Sequence, residues 1–244
     1  MDNNNDNNNN DNRAMLSHYL YIGSLKLGYS QRNIICIVLM HKYLNVIEDI
    51  CSNEIWNDNK IILTSALLLL NGKLTENIRT LRDVCSIVLL LYNNHFNCSK
   101  INEEYIKIKK LVIEKENFIL RVIGFNINIE IPYNNLERMW RYLDIDIQYM
   151  RLGIIVLNDC YLHRKCIDIN NNLLAASSLY ISITIINNTI NQKEWWTIYD
   201  IQESQLLETV TWILTVQQKY SNSNLERHDD NSNVMISVLP KPSH

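Results

Sequence analysis

The residues of this chain that could support chemistry are few, and their spacing decides how far each can go. Cys160-x-x-His163-x-x-Cys166 offers ligand types that suit zinc. On a helix three residues so spaced spread over about 120°, which is wide for one ion, and no further Cys or His stands nearby as a fourth ligand. A capped helix end with buried thiols is the simpler reading, and no metal is expected. His95-x-x-Cys98 is weaker still. There is no glycine-rich phosphate loop, nucleophile elbow or His-Glu-x-x-His, and Gly23, Gly28, Gly72, Gly124 and Gly153 leave little room for such loops. No catalytic residue and no cofactor is therefore assigned. Two charged residues stand out instead. Lys73 directly follows a long apolar run, where a cation is favoured by the dipole of a helix ending there. Glu116 lies in Glu116-Asn117-Phe118-Ile119-Leu120-Arg121 and would by itself be an ordinary solvated carboxylate.

The elements that position these residues are helical. Pro132 is the only proline between the chain ends, and few breakers with long apolar periodicity argue for an all-α body. The pattern places helices near Ala14–Leu27, Gln31–Leu44, Asn59–Gly72, Leu81–Tyr92 and Glu103–Ile123. A second set follows near Tyr133–Leu143, Asp146–His163, Asn172–Asn187, Glu194–Tyr199 and Glu203–Tyr220. Asn59–Gly72 is apolar nearly all round, as is Leu173–Ile186, and such helices are central in their domains. Phe125 to Ile131 alternates with period two, but with no partner strand in sight it reads as an extended linker.

The two sets echo each other. Ile37-Val38-Leu39 is answered by Ile155-Val156-Leu157, Ser65-Ala66-Leu67 by Ser177-Ser178-Leu179, and Phe118-Ile119-Leu120 by Trp212-Ile213-Leu214, in the same order. One helical unit used twice follows. The copies differ where charge stands: aligning Ser65 with Ser177 puts Ile185 opposite Lys73, and aligning Phe118 with Trp212 puts Val210 opposite Glu116. The first half is thus the one marked for function.

Composition narrows the classes. With 244 residues the chain suits two domains of about 100 each. Hydrophobic residues at 47% are enough for a sizeable core, and a net charge of −3 gives no footprint for direct nucleic-acid binding. No stretch approaches the ~18 apolar residues that span a bilayer. The six cysteines fall mostly on apolar helix faces without a signal peptide before them, so reduced, buried thiols of an intracellular protein are expected. Residues 2–12 contain only Asp and Asn, and the tail Ser221–His244 is mostly polar. Both ends, 1–13 and 221–244, are expected to lack fixed structure. Trp195-Trp196 is read as a core anchor for its short helix, with a partner-binding aromatic patch as the alternative.

Taken together these residues resemble the cyclin family, over roughly residues 15–220. Glu116 to Phe125 followed by Ile131-Pro132-Tyr133 resembles the end of a first cyclin box and the Pro-His that opens the second, with Tyr133 in place of the His. Within the family, Lys26-Leu27-Gly28, His41-Lys42-Tyr43, Gly72-Lys73, Arg79-Thr80, Arg82-Asp83 and Trp195-Trp196 resemble the cyclin Q subgroup; the double Trp is shared with cyclins K and L. The family's Lys-apolar-Glu-Glu is Lys73-Leu74-Thr75-Glu76 here.

The resemblance implies tandem cyclin-box domains, two five-helix bundles, at 14–127 and 132–220. It implies a regulatory subunit rather than an enzyme, one that binds and activates a cyclin-dependent kinase in a heterodimer, resides in the nucleus, with the cytoplasm as a further location, and acts in transcription or cell-cycle control. The subgroup points to a partner like cyclin-dependent kinase 10. By the family's pattern Lys73 and Glu116, with Glu76 beside them, meet the kinase backbone next to its mobile C-helix, while Leu70, Leu74, Leu120 and Ile127 pack on that helix. Two alternatives remain: a TFIIB-like transcription factor of the same fold, and a kinase-independent helical scaffold in which Lys73 and Glu116 simply pair with each other.

Overall fold

Helices form wherever the apolar residues recur at helical spacing. The computed structural model describes residues 2–30, 34–50, 59–92, 103–186 and 194–225. In the first unit, Met1–Ile131, the helices are α1 (Asp2–Lys26), α2 (Ile35–Ile50), α3 (Lys60–Leu74), α4 (Leu81–Tyr92) and α5 (Glu103–Val122). In the second, Pro132–His244, they are α6 (Tyr133–Leu143), α7 (Ile147–Cys160), α8 (Asn171–Ile185) and α9 (Glu203–Leu225), with 3-10 turns at Arg164–Ile167 and Trp195–Tyr199. Among the described residues there is no strand, and no helix is long and apolar enough to cross a membrane.

Each unit is organised around one helix that has no polar face. From Leu63 to Gly72 every residue of α3 is buried, so neighbours must cover it on all sides. It packs against α1, α2, α4 and α5. In the second unit Leu174 to Leu179 of α8 are buried likewise, and α6, α7 and α9 surround it. Both central helices start in the same way. The Asn59 side chain accepts the Ile61 N–H at 3.0 Å and that of Asn170 accepts the Asn172 N–H at 2.8 Å, each satisfying a donor that the first turn leaves open.

The amino-terminal end departs from expectation. The Asn/Asp tract was expected to carry no fixed structure, yet α1 begins at Asp2. Its docked portion supplies the reason, since Ala14, Leu16, Leu20 and Tyr21 are buried. Once those turns are fixed, extending a helix costs far less than nucleating one. Arg13 fixes the register: it is 2% exposed, and its Nη2 and Nε reach Glu48 Oε2 and Oε1 of α2 at 2.6 and 3.1 Å. Its Nη1 lies 3.4 Å from His41 Nδ1. At the other end α9 runs to Leu225, beyond the expected Tyr220. Residues 226–244, the rest of the expected flexible tail, lie outside the described residues, as do Cys51, His95 and Cys98.

Helix α5 ends in a left-handed pair, Gly124 (φ +61°) and Phe125 (φ +54°). The Phe125 N–H reaches back to Leu120 O at 2.8 Å, so the last turn keeps its carbonyls bonded. Residues 126–131 then run without helix or strand to Pro132. Tyr133, standing where a His resembling the family's would be, sends its hydroxyl to Asn158 Oδ1 of α7 at 2.5 Å.

Two stability outcomes follow. Arg13→Ala leaves the Glu48 carboxylate facing an emptied site and should cost about 3 kcal/mol in urea unfolding, whereas a surface change should cost little. Asp159 on α7 is half-buried, with Gln217 Nε2 of α9 donating to its carboxylate at 3.2 Å; the loss of water around it pushes its carboxyl up to about 7. The folded chain therefore keeps that proton at pH values where the unfolded chain has lost it. The contribution of this group falls as pH rises from about 4 to about 7 and is level above that. Thermal unfolding of Asp159→Asn should lose this component of the pH dependence and gain stability over wild type at pH 8.

Candidate functional site

The end of α3 is where a buried helix meets the surface. Its carbonyls are held by Thr75, whose N–H and hydroxyl both donate to Asn71 O, at 3.0 and 2.8 Å. Gly72 allows the close approach there: a Cβ on it would collide with the Tyr29 hydroxyl and stand 3.0 Å from Asn77 O. The next residue, Lys73, is the first of the helix to leave the core, and Glu76 after it takes a left-handed φ of +55°. A non-glycine residue held so is locally strained.

Helix α5 packs along α3 and brings Glu116 to this end. Lys73 Nζ and Glu116 Oε1 lie 2.5 Å apart, with the lysine side chain 50% exposed and the glutamate 7%. The pair is therefore asymmetric: the carboxylate sits in the protein and the ammonium caps it from outside. Packing against a helix that is buried on all sides explains the burial of Glu116, which its own sequence neighbourhood did not suggest. Of the apolar residues expected around it, Ile127 is 43% exposed, Leu74 and Leu120 are half-buried, and Leu70 is buried in the core. Glu76 is exposed. Leu70 thus belongs to the packing beneath the face rather than to its open surface. Two residues flanking these in the sequence, Ile78 at 73% and Phe125 at 64%, are the most exposed large apolar side chains among the described residues. By residue type they cannot be told from core residues, since their exposure follows from the loop and the helix end that carry them. Next to Glu116 on α5, Lys115 Nζ donates to Tyr43 Oη at 2.8 Å and lies over the Tyr43 and Phe118 rings, 5.1 Å from each centroid.

The remaining candidates act within the second unit. Trp195 is buried, and Trp196 meets the rings of Trp195 and Tyr180 edge-on at 5.9 and 5.8 Å. Helix α7 ends at Cys160, three residues before the expected His163. His163 Nδ1 accepts the Lys165 N–H at 3.2 Å and so opens the 3-10 turn. Cys160 and Cys166 are buried, and burial pushes both thiols well above their usual range. Among the described residues no three His, Cys, Asp or Glu side chains are placed to hold a metal.

With this geometry in view, comparison with known proteins is informative. The family described as the cyclin C-terminal domain matches residues 131–234. Rice Cyclin-T1-3 is 25% identical over 195 residues, covering 77% of this chain and 36% of that protein. Cyclin-T1-5 of Arabidopsis thaliana is 24% identical over 171 residues, 67% of this chain and 29% of its own length. These findings support the cyclin family. The chain is similar in sequence to these cyclins and spans only about a third of their length. A chain in the crystal structure of the yeast RNA Pol II CTD kinase CTDK-1 complex has the same fold, with a TM-score of 0.67 at 18% identity over 94% of this chain and 74% of that one. The match of the family domain begins at Ile131, beside the boundary between the two units.

The close packing at Gly72 is testable. Gly72→Ala should destabilise the chain by roughly 1–3 kcal/mol. If the Tyr29 hydroxyl is the obstacle, adding Tyr29→Phe should recover part of that loss in chemical denaturation.

Proposed function

We propose that this chain is a cyclin-like regulatory subunit that binds and activates a cyclin-dependent protein kinase acting in transcription or cell-cycle control. The observation that carries the proposal is the Lys73–Glu116 pair, set at the end of a buried helix and bordered by Leu74, Leu120 and Ile127. In this reading the first unit is an N-terminal cyclin box and the second a C-terminal one. The pair meets backbone groups beside the kinase C-helix, with Glu76 at its edge, and the exposed apolar side chains pack on that helix over the support of Leu70. A kinase is active only when its C-helix holds a Lys–Glu ion pair of its own in place. A partner that contacts the inward position better than the outward one shifts the population toward it. The chemistry then belongs to the kinase.

Relatives named cyclin-T favour a transcriptional role. The cyclin Q subgroup, and with it a kinase like cyclin-dependent kinase 10, rests on the Gly72-Lys73, Arg79-Thr80 and Arg82-Asp83 signature. A nuclear location accompanies either. The scaffold alternative has one specific observation in its favour, because Lys73 and Glu116 do pair with each other in the free chain.

The two readings part on energetics. With Lys73 half exposed, the pair by itself is worth about 1 kcal/mol or less to folding. At a kinase interface the same groups lose water, and truncating either should cost about 2–5 kcal/mol of affinity. Lys73→Ala with Glu116→Ala should abolish capture of a kinase from the native source while circular dichroism stays helical. A folded double mutant that still recovers the kinase sinks the interface assignment, and a wild-type chain that recovers none favours the scaffold.

A further inference from the structure

One polar side chain in the first unit has no work to do in the fold as it stands. Asn71 is wholly buried in the last full turn of α3, and neither its Nδ2 nor its Oδ1 has a hydrogen-bond partner among the described residues. A buried amide left this way is costly, because it has given up water and received nothing. The fold does not require a polar group there. Aligning Ser65 with Ser177 puts Ile183 opposite Asn71, and Ile183 is a buried core residue of α8.

The rest of the turn is also unlike its counterpart. Gly72 stands opposite Thr184 and Lys73 opposite Ile185. Gly72 is pressed against Tyr29 and Asn77, and Glu76 is held at φ +55°, its N–H reaching Lys73 O only at 3.4 Å. An orphaned amide, a close contact and a strained residue therefore fall within six consecutive positions, on the segment that presents Lys73, Leu74 and Glu76. Such features persist where the surrounding structure overrides them, and they gather where a segment has two arrangements.

We propose that Asn71 is a positioning residue for partner binding: the last turn of α3 has a second packing in which the Asn71 amide is hydrogen-bonded, and partner binding selects it. The inference rests on the kinase-binding reading above. Contacts at Lys73, Leu74 and Glu76 act on the very turn that carries Asn71, so a partner meeting them can favour one packing over the other. An apolar residue in its place removes the cost in the free chain and with it the reason to change packing.

The test uses the full chain with Asn71→Leu, and Asn71→Ile as a second variant that copies the residue at the repeat position. Thermal unfolding of the free chain should rise by about 4 °C, and affinity for the captured kinase should fall about tenfold. A purely structural role would move the first measurement and not the second. A lower unfolding temperature in both variants overturns the proposal, because it means that Asn71 is already satisfied, for example by an internal water. Higher stability with unchanged affinity overturns it too. Failure of the kinase reading is separately visible, since then the wild-type chain captures no kinase whatever Asn71 does to unfolding.

Discussion

A helix that is apolar on every side cannot exist at a protein surface, and this requirement governs the first unit. Because α3 has no face to give to water, α1, α2, α4 and α5 must enclose it. At its carboxyl-terminal end it releases a charged residue, Lys73, to the surface. The enclosure also fixes where α5 lies, and so delivers Glu116 to the same spot. The candidate site is thus a by-product of burying one helix, which is why its two charged members come from distant parts of the chain.

The second unit obeys the same rule and reaches a different result. Around α8 the packing is complete with α6, α7 and α9, but Ile185 occupies the position that would match Lys73, and Val210 the one that would match Glu116. No charged pair can form there. Duplication of a scaffold followed by loss of symmetry at one helix end is a simple route to a protein with two similar halves and one binding face. The second half is the one that resembles the cyclin C-terminal domain, and the fold is shared over most of the chain with a chain of a solved kinase complex.

Burial also separates residues that look equivalent along the chain. Leu70 and Leu74 are one turn apart and equally apolar, yet the first lies in the core and the second at the edge of the face. Cys160, His163 and Cys166 have the composition of a metal site and instead serve a helix end: the thiols are shut in, and the imidazole is occupied in opening a 3-10 turn. In each case the side chain's chemistry is the same in the sequence and in the fold. What changes is access to water.

The all-α character, the order of the helices, the repeat and the two central apolar helices were legible in the sequence, because helical periodicity and capping residues act within a few positions of one another. Resemblance and the broken repeat could single out Lys73 and Glu116 as candidates, but no local run of residues showed that they would meet. Tertiary structure decided the rest. It closed a 2.5 Å contact between side chains 43 residues apart, extended α1 through an Asn/Asp tract by anchoring Arg13 on Glu48, and left Asn71 buried without a partner. Those outcomes depend on which helices pack together and at what register, and that is set by the whole core at once rather than by any local run of residues.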